Sequence, residues 1–220
     1  MLEDAESKNF YELSELARNF REIPIFTRNF SELSVFTRLE LDFDSIRKDE
    51  TLQVCAETVP EPRRIRASID LCIIPAAEEV RVINLHLRSR GFLTGHVGEL
   101  AYVTEGFMHN AADSIMEKYL NGHNYVGEIT VEYKFRDKKI RLEVGDNGAG
   151  GKYCVKKDLF VSFVSSKNYI PPYALKREGI HMAYSKKFIE DSGGLIGFQD
   201  NGENKGAVFW YEVPLKIPEP

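Results

Sequence analysis

Cysteine is sparse in this chain of 220 residues, and Cys55, Cys72 and Cys154 show none of the spacings that hold a metal. An odd, scattered set in a chain of this size predicts reduced thiols and a cytoplasmic setting. A basic surplus is also missing. The 29 Lys and Arg stand against 34 Asp and Glu, for a net charge of −5, so the charge balance offers no footprint for nucleic acid. No apolar run approaches the ~20 residues that span a bilayer. Residues 1–20 are charged throughout, which predicts no secretory signal and puts any membrane sensor on another polypeptide. Histidine is scarce too: there are five, and none lies in residues 1–85.

What is present is enough apolar content, 43%, to bury one core and carry an appendage. Residues 9–38 repeat a ten-residue frame three times: NFYELSELAR, NFREIPIFTR, NFSELSVFTR. Phe10, Leu13, Leu16, Phe20 and Ile23 recur in steps of three and four, which predicts one apolar helical face. Pro24 should kink that helix. The chain is therefore divided into a helical segment, 1–44, and a domain, 45–220. The repeat region, 9–40, is read as a homodimer contact or a docking helix.

Residues 45–59 predict a helix stopped by Pro60 and Pro62. RIRASIDLCII and EVRVINLHLR read as two strands separated by Pro75. A long helix is expected over about 97–120. Strands follow over 128–135 and 139–145, where Ile129, Val131, Tyr133, Phe135 and then Ile140, Leu142, Val144 alternate. The irregular stretch 147–178 has the length of a functional lid. A helix over 179–191 ends at Gly193 and Gly194, and LIGFQ and AVFWYEVPL make the last two strands. The expected fold is a two-layer α/β sandwich: a mostly antiparallel sheet covered by helices, with a helical N-terminal extension.

Two short motifs carry chemistry. On the 97–120 helix, Gly106, Asn110, Asp113 and Glu117 share one polar line. The amide oxygen of Asn110 suits a Mg²⁺ that keeps waters and bridges phosphates, or simply satisfies a polar group of the core. Asp146, at the exit of KIRLEV, begins DNGAG. A carboxylate there can accept a hydrogen bond from the exocyclic amine of adenine, and Gly148 and Gly150 let backbone approach a flat base. Taken alone, Asp-Asn-Gly is equally an ordinary turn.

In order along the chain, FMHNAADSI, DNGAG, the SSK of Ser165–Lys167 and GIHMAYSKKFIEDSGG resemble the ATP-binding domain of histidine kinases over about residues 45–215. That domain belongs to the superfamily of gyrase, chaperone, kinase and mismatch-repair ATPases. The resemblance implies ATP and Mg²⁺ as cofactors. It makes Asn110 the metal-holding residue and places Asp113, Asp146, Gly148 and Gly150 around the nucleotide. Ser166 and Lys167 would meet phosphates from a lid, and Gly179 would offer its backbone at a helix N-terminus.

The chain departs from that pattern at four places. Gly106 stands where an acidic or polar residue often helps activate the attacking group. His181 stands where a second glycine is usual, and either adds a donor to phosphate or blocks close approach. The last strand has no hydroxyl in Gly206–Phe209, and no histidine is placed as a phosphoacceptor. Hence no residue is assigned to the chemical step. The implied function is an ATP-binding signalling protein that transfers phosphate from Mg-ATP to an acceptor on another chain or an upstream segment. The alternative is a pseudokinase-like protein in which lid closure controls a partner without transfer; a purely structural adaptor ranks third.

Overall fold

The computed structural model describes residues 36–50, 52, 59, 61, 63–93, 97–150, 159–161 and 180–216. The helical extension expected in the N-terminal repeats lies outside these residues up to position 35, and so does most of the expected lid.

Ten elements follow in order: β1 (Phe36–Asp42), α1 (Asp44–Lys48), β2 (Arg63–Ser68), α2 (Ile69–Ser89), α3 (Val97–Leu120), β3 (Gly127–Arg136), β4 (Lys139–Asp146), α4 (His181–Asp191), β5 (Leu195–Asp200) and β6 (Ala207–Pro214). The strands form one sheet in the order β2-β1-β3-β4-β6-β5. Only β1 and β3 run parallel; the other neighbours are antiparallel. The expected two-layer sandwich is present.

Period-two alternation decides which side of each strand is covered. Leu39 and Leu41 on β1, Ile129, Val131 and Tyr133 on β3, and Ile140, Leu142 and Val144 on β4 are buried. They face α2 and α3, whose own apolar lines include Ile83, Leu87, Phe107 and Ile115. The opposite face is polar and laced with ion pairs: Lys134 reaches Glu143 at 2.5 Å, and Arg141 lies over the Trp210 ring at 3.9 Å.

Three expectations need correction. The segment 36–42, assigned to the N-terminal helical part, is a strand inside the sheet, because Leu39, Leu41 and Phe43 alternate with Arg38, Glu40 and Asp42. Of the helix expected over 45–59, the part up to Lys48 is helical, as Asp44–Lys48, and Asp49 is extended; residues 51 and 53–58 lie outside the described residues. The two strands expected around Pro75 are β2 followed by a single long helix, so His86 is helical as well. Ile73, Ala76, Val80, Ile83 and Leu87, at steps of three and four, are all nearly inaccessible. Burying each of the four larger side chains contributes ~1.5–3 kcal/mol. Their sum exceeds the ~3 kcal/mol that a proline in a helix costs.

Candidate nucleotide site

The end of β4 is tied to the middle of α3 through one residue, Ser114. Its hydroxyl donates to Asp146 Oδ1 at 2.9 Å and accepts from the Gly150 amide at 3.3 Å. Its carbonyl accepts from the Ala149 amide at 3.0 Å. Gly148 packs so closely on this turn that a Cβ there would meet the Ser114 hydroxyl oxygen at 2.4 Å. Gly150 has φ +82°, and its own Cβ would strike the Gly202 carbonyl at 2.5 Å. Both positions therefore require glycine. Just before β6, Gly206 packs closer still: a Cβ there would fall 1.9 Å from the Asp146 carbonyl oxygen.

Asp146 is 8% exposed. Its Oδ1 also accepts from the Gly148 amide at 2.8 Å, while Oδ2 is buried without a hydrogen-bond partner among the described residues. Burial pushes the carboxyl up to about 6; the Gly148 amide, the Ser114 hydroxyl, the Ala207 amide and the Lys118 charge act against that without cancelling it. Lys118 also donates to the carbonyls of Asn147 and Asn204 at 2.7 and 2.8 Å, so it pins two loops beside the carboxylate.

The remaining site residues lie on or against α3. One turn before Ser114, half-buried Asn110 donates through Nδ2 to the sulfur of Met182 on α4, at 3.3 Å. One turn earlier again, Gly106 faces the ring of His181. Hence the line that matters runs through Tyr102, Gly106, Asn110 and Ser114, each one turn from the next. Asp113 is half-buried beside this line. His109 turns to Glu105, its Nε2 3.6 Å from the carboxylate. Next to the His181 end is an open cleft of about 430 Å³ lined by Gly98, Glu99, Tyr102, Ile180, His181 and Tyr184.

Asp146, Gly148 and Gly150 are thus brought together, with Asn110 and His181 one and two turns along α3 from Ser114. Ser166, Lys167 and Gly179 lie outside the described residues. Ser114, Lys118 and Gly206 were not singled out from sequence. Ser114 had a signal, since it stands four residues after Asn110; Lys118 and Gly206 reach the site only through tertiary contacts.

No family model matches the chain. It is 32% identical over 87 residues to the sensory/regulatory protein RpfC of two strains of Xanthomonas campestris pv. campestris. That stretch is 37% of this chain and 11% of RpfC, so the chain spans about a tenth of the curated relatives it matches. Three solved structures are similar to it. One is full-length ShkA in complex with AMPPNP, 21% identical over 56% of this chain and 23% of that one, with a TM-score of 0.44. The second is the nucleotide-free catalytic domain of histidine kinase ThkA, with 24% identity, 56% and 70% coverage and a TM-score of 0.42. The third is the mycobacterial sensor histidine kinase MprB, with 18% identity, 64% and 97% coverage and a TM-score of 0.47.

Proposed function

We propose that this chain, which resembles the ATP-binding catalytic domains of histidine kinases, is the ATP-binding module of a kinase-like signalling protein. The observation that carries the reading is Asp146 Oδ2, a buried carboxylate oxygen at the end of β4 with no hydrogen-bond partner among the described residues. Leaving such a group unpaired costs ~1–3 kcal/mol or more, so a ligand donor is the natural complement. The exocyclic amine of adenine is such a donor, and guanine presents a carbonyl at the same position. Gly148 and Gly150 keep side chains away from the base.

Asn110 fits the role of a single protein oxygen on a Mg²⁺ whose other ligands are phosphates and water. Among the described residues no group of three His, Cys, Asp or Glu is placed to hold a metal. Asp113 supports the same turn of α3. Ser166, Lys167 and the Gly179 backbone are assigned to the phosphates, and His181 to the same nucleotide. Bound ATP supplies the phosphoryl group; the residues of this chain bind and orient it. The acceptor is placed on a partner protein or an upstream segment, and self-association is assigned to the part of residues 9–40 that precedes β1. No described helix is long and apolar enough to cross a membrane, and a cytoplasmic setting is part of the proposal.

Calorimetric titration with ATP, with and without Mg²⁺, tests this on the wild type and on Asp146→Asn. Saturable binding that is strengthened by Mg²⁺ and lost in the variant is expected. No binding at millimolar ATP would sink the proposal.

A further inference from the structure

We infer that Gly106 and His181 form one unit: position 106 is glycine so that the His181 ring can lie against α3, and the seated ring sets where α4 meets Asn110. A Cβ on residue 106 would fall 1.7 Å from His181 Cε1, 2.3 Å from Nε2 and 2.4 Å from Nδ1. The imidazole therefore occupies the space in which any side chain at 106 would begin, and even alanine is excluded while the ring stays. Contacts with Tyr102 hold it there. The ring packs obliquely on Tyr102, with centroids 4.5 Å apart, and Nε2 lies 3.2 Å from the Tyr102 carbonyl oxygen. A carbonyl only accepts, so Nε2 carries a proton.

The next residue, Met182, is buried and receives the hydrogen bond from Asn110. Consecutive residues of α4 thus grip α3 at two successive turns, at 106 and at 110. His181 is a positioning residue: it fixes the first turn of α4 and, through Met182, the side chain of Asn110. Two departures from the kinase pattern, a missing side chain at 106 and a ring in place of a glycine at 181, are complementary halves of one contact. The contact stands on geometry alone; its effect on nucleotide rests on the ATP-binding reading above.

A double-mutant cycle on the full chain tests the unit, using Gly106→Ala, His181→Ala and both together. Each protein is read by thermal unfolding and by ATP titration with and without Mg²⁺. Gly106→Ala alone should lower the melting midpoint and weaken Mg-ATP binding about tenfold, while in the His181→Ala background it changes either by no more than about twofold. The loss should fall on the Mg²⁺-dependent part of the affinity, because Asn110 is the group displaced. Imidazole nitrogen shifts of the wild type should show His181 protonated on Nε2. Equal losses in both backgrounds, an Mg²⁺-free affinity that falls as far as the Mg²⁺-bound one, or a proton on Nδ1 alone overturns the inference. A wild type that binds no ATP overturns the ATP reading instead. The unit is then judged on the melting midpoints, where additive shifts sink it and a silent Gly106→Ala in the His181→Ala background upholds it.

Discussion

Asp146 makes the fold and the proposed ligand respond to pH in opposite directions. Its carboxyl rises from 3.8 to about 6 on folding, chiefly through burial. Below pH 3.8 it is protonated in folded and unfolded chains alike, and its contribution to stability is complete. Between 3.8 and about 6 the folded chain binds more protons than the unfolded one, so stability falls as pH rises; above 6 the loss is full, ~3 kcal/mol at 1.36 kcal/mol per unit. Relative to Asp146→Asn, the wild type should therefore gain stability on going from pH 7 to pH 5, as urea unfolding at the two pH values will show. Adenine binding needs the ionised acceptor instead. At pH 5 only about a tenth of the carboxyl is ionised, so affinity should drop about tenfold from its value at pH 7. Adenosine is the better probe here, since it has no phosphates to titrate. An affinity flat across that range would count against Asp146 as the acceptor.

The β3–β4 hairpin illustrates how far an element can be read from its residues. The two strands were legible from alternation to within one residue at each end, and the turn from its polar run. What alternation did not reveal is that Asp137 and Lys138 both take positive φ, 53° and 60°, the pairing of a two-residue hairpin turn. Lysine pays ~1 kcal/mol or more for that conformation, so Lys138→Gly should raise stability by ~1 kcal/mol, measured as a higher midpoint in urea with an unchanged slope. The same limit explains α2. Pro75 and the β-branched residues around it mimic strand punctuation, and only the depth of the groove between sheet and α3 makes the three-and-four spacing of Ile73, Val80 and Leu87 decisive. Motif residues within one element, such as Asn110 on α3 or Asp146 at the end of β4, could be read from sequence. The Gly106–His181 contact could not: each residue departs from the kinase pattern on its own, and only the packing of two helices distant in sequence pairs them.

For the whole molecule, the position of β1 decides where an N-terminal truncation is tolerated. β1 lies between β2 and β3 and, among the described residues, is the only neighbour of β2 in the sheet. Leu39, Leu41 and Phe43 are fully buried, and the Phe43 ring packs on Tyr133 with centroids 5.2 Å apart. Removing residues 1–34 spares all of this. Removing residues 1–43 deletes the three side chains, at ~1.5–3 kcal/mol each, together with both hydrogen-bonded borders of the strand. That loss is comparable to the whole stability of an ordinary domain, ~5–15 kcal/mol. The longer fragment, from residue 35, should unfold cooperatively on heating and bind ATP as the full chain does, while the shorter one should lack a cooperative transition. If the repeats that precede β1 carry self-association, light scattering should find the full chain dimeric and the 35–220 fragment monomeric. A fragment that stays dimeric would move the self-association surface into the sheet domain, and a full chain that is monomeric would leave the repeats to a different partner.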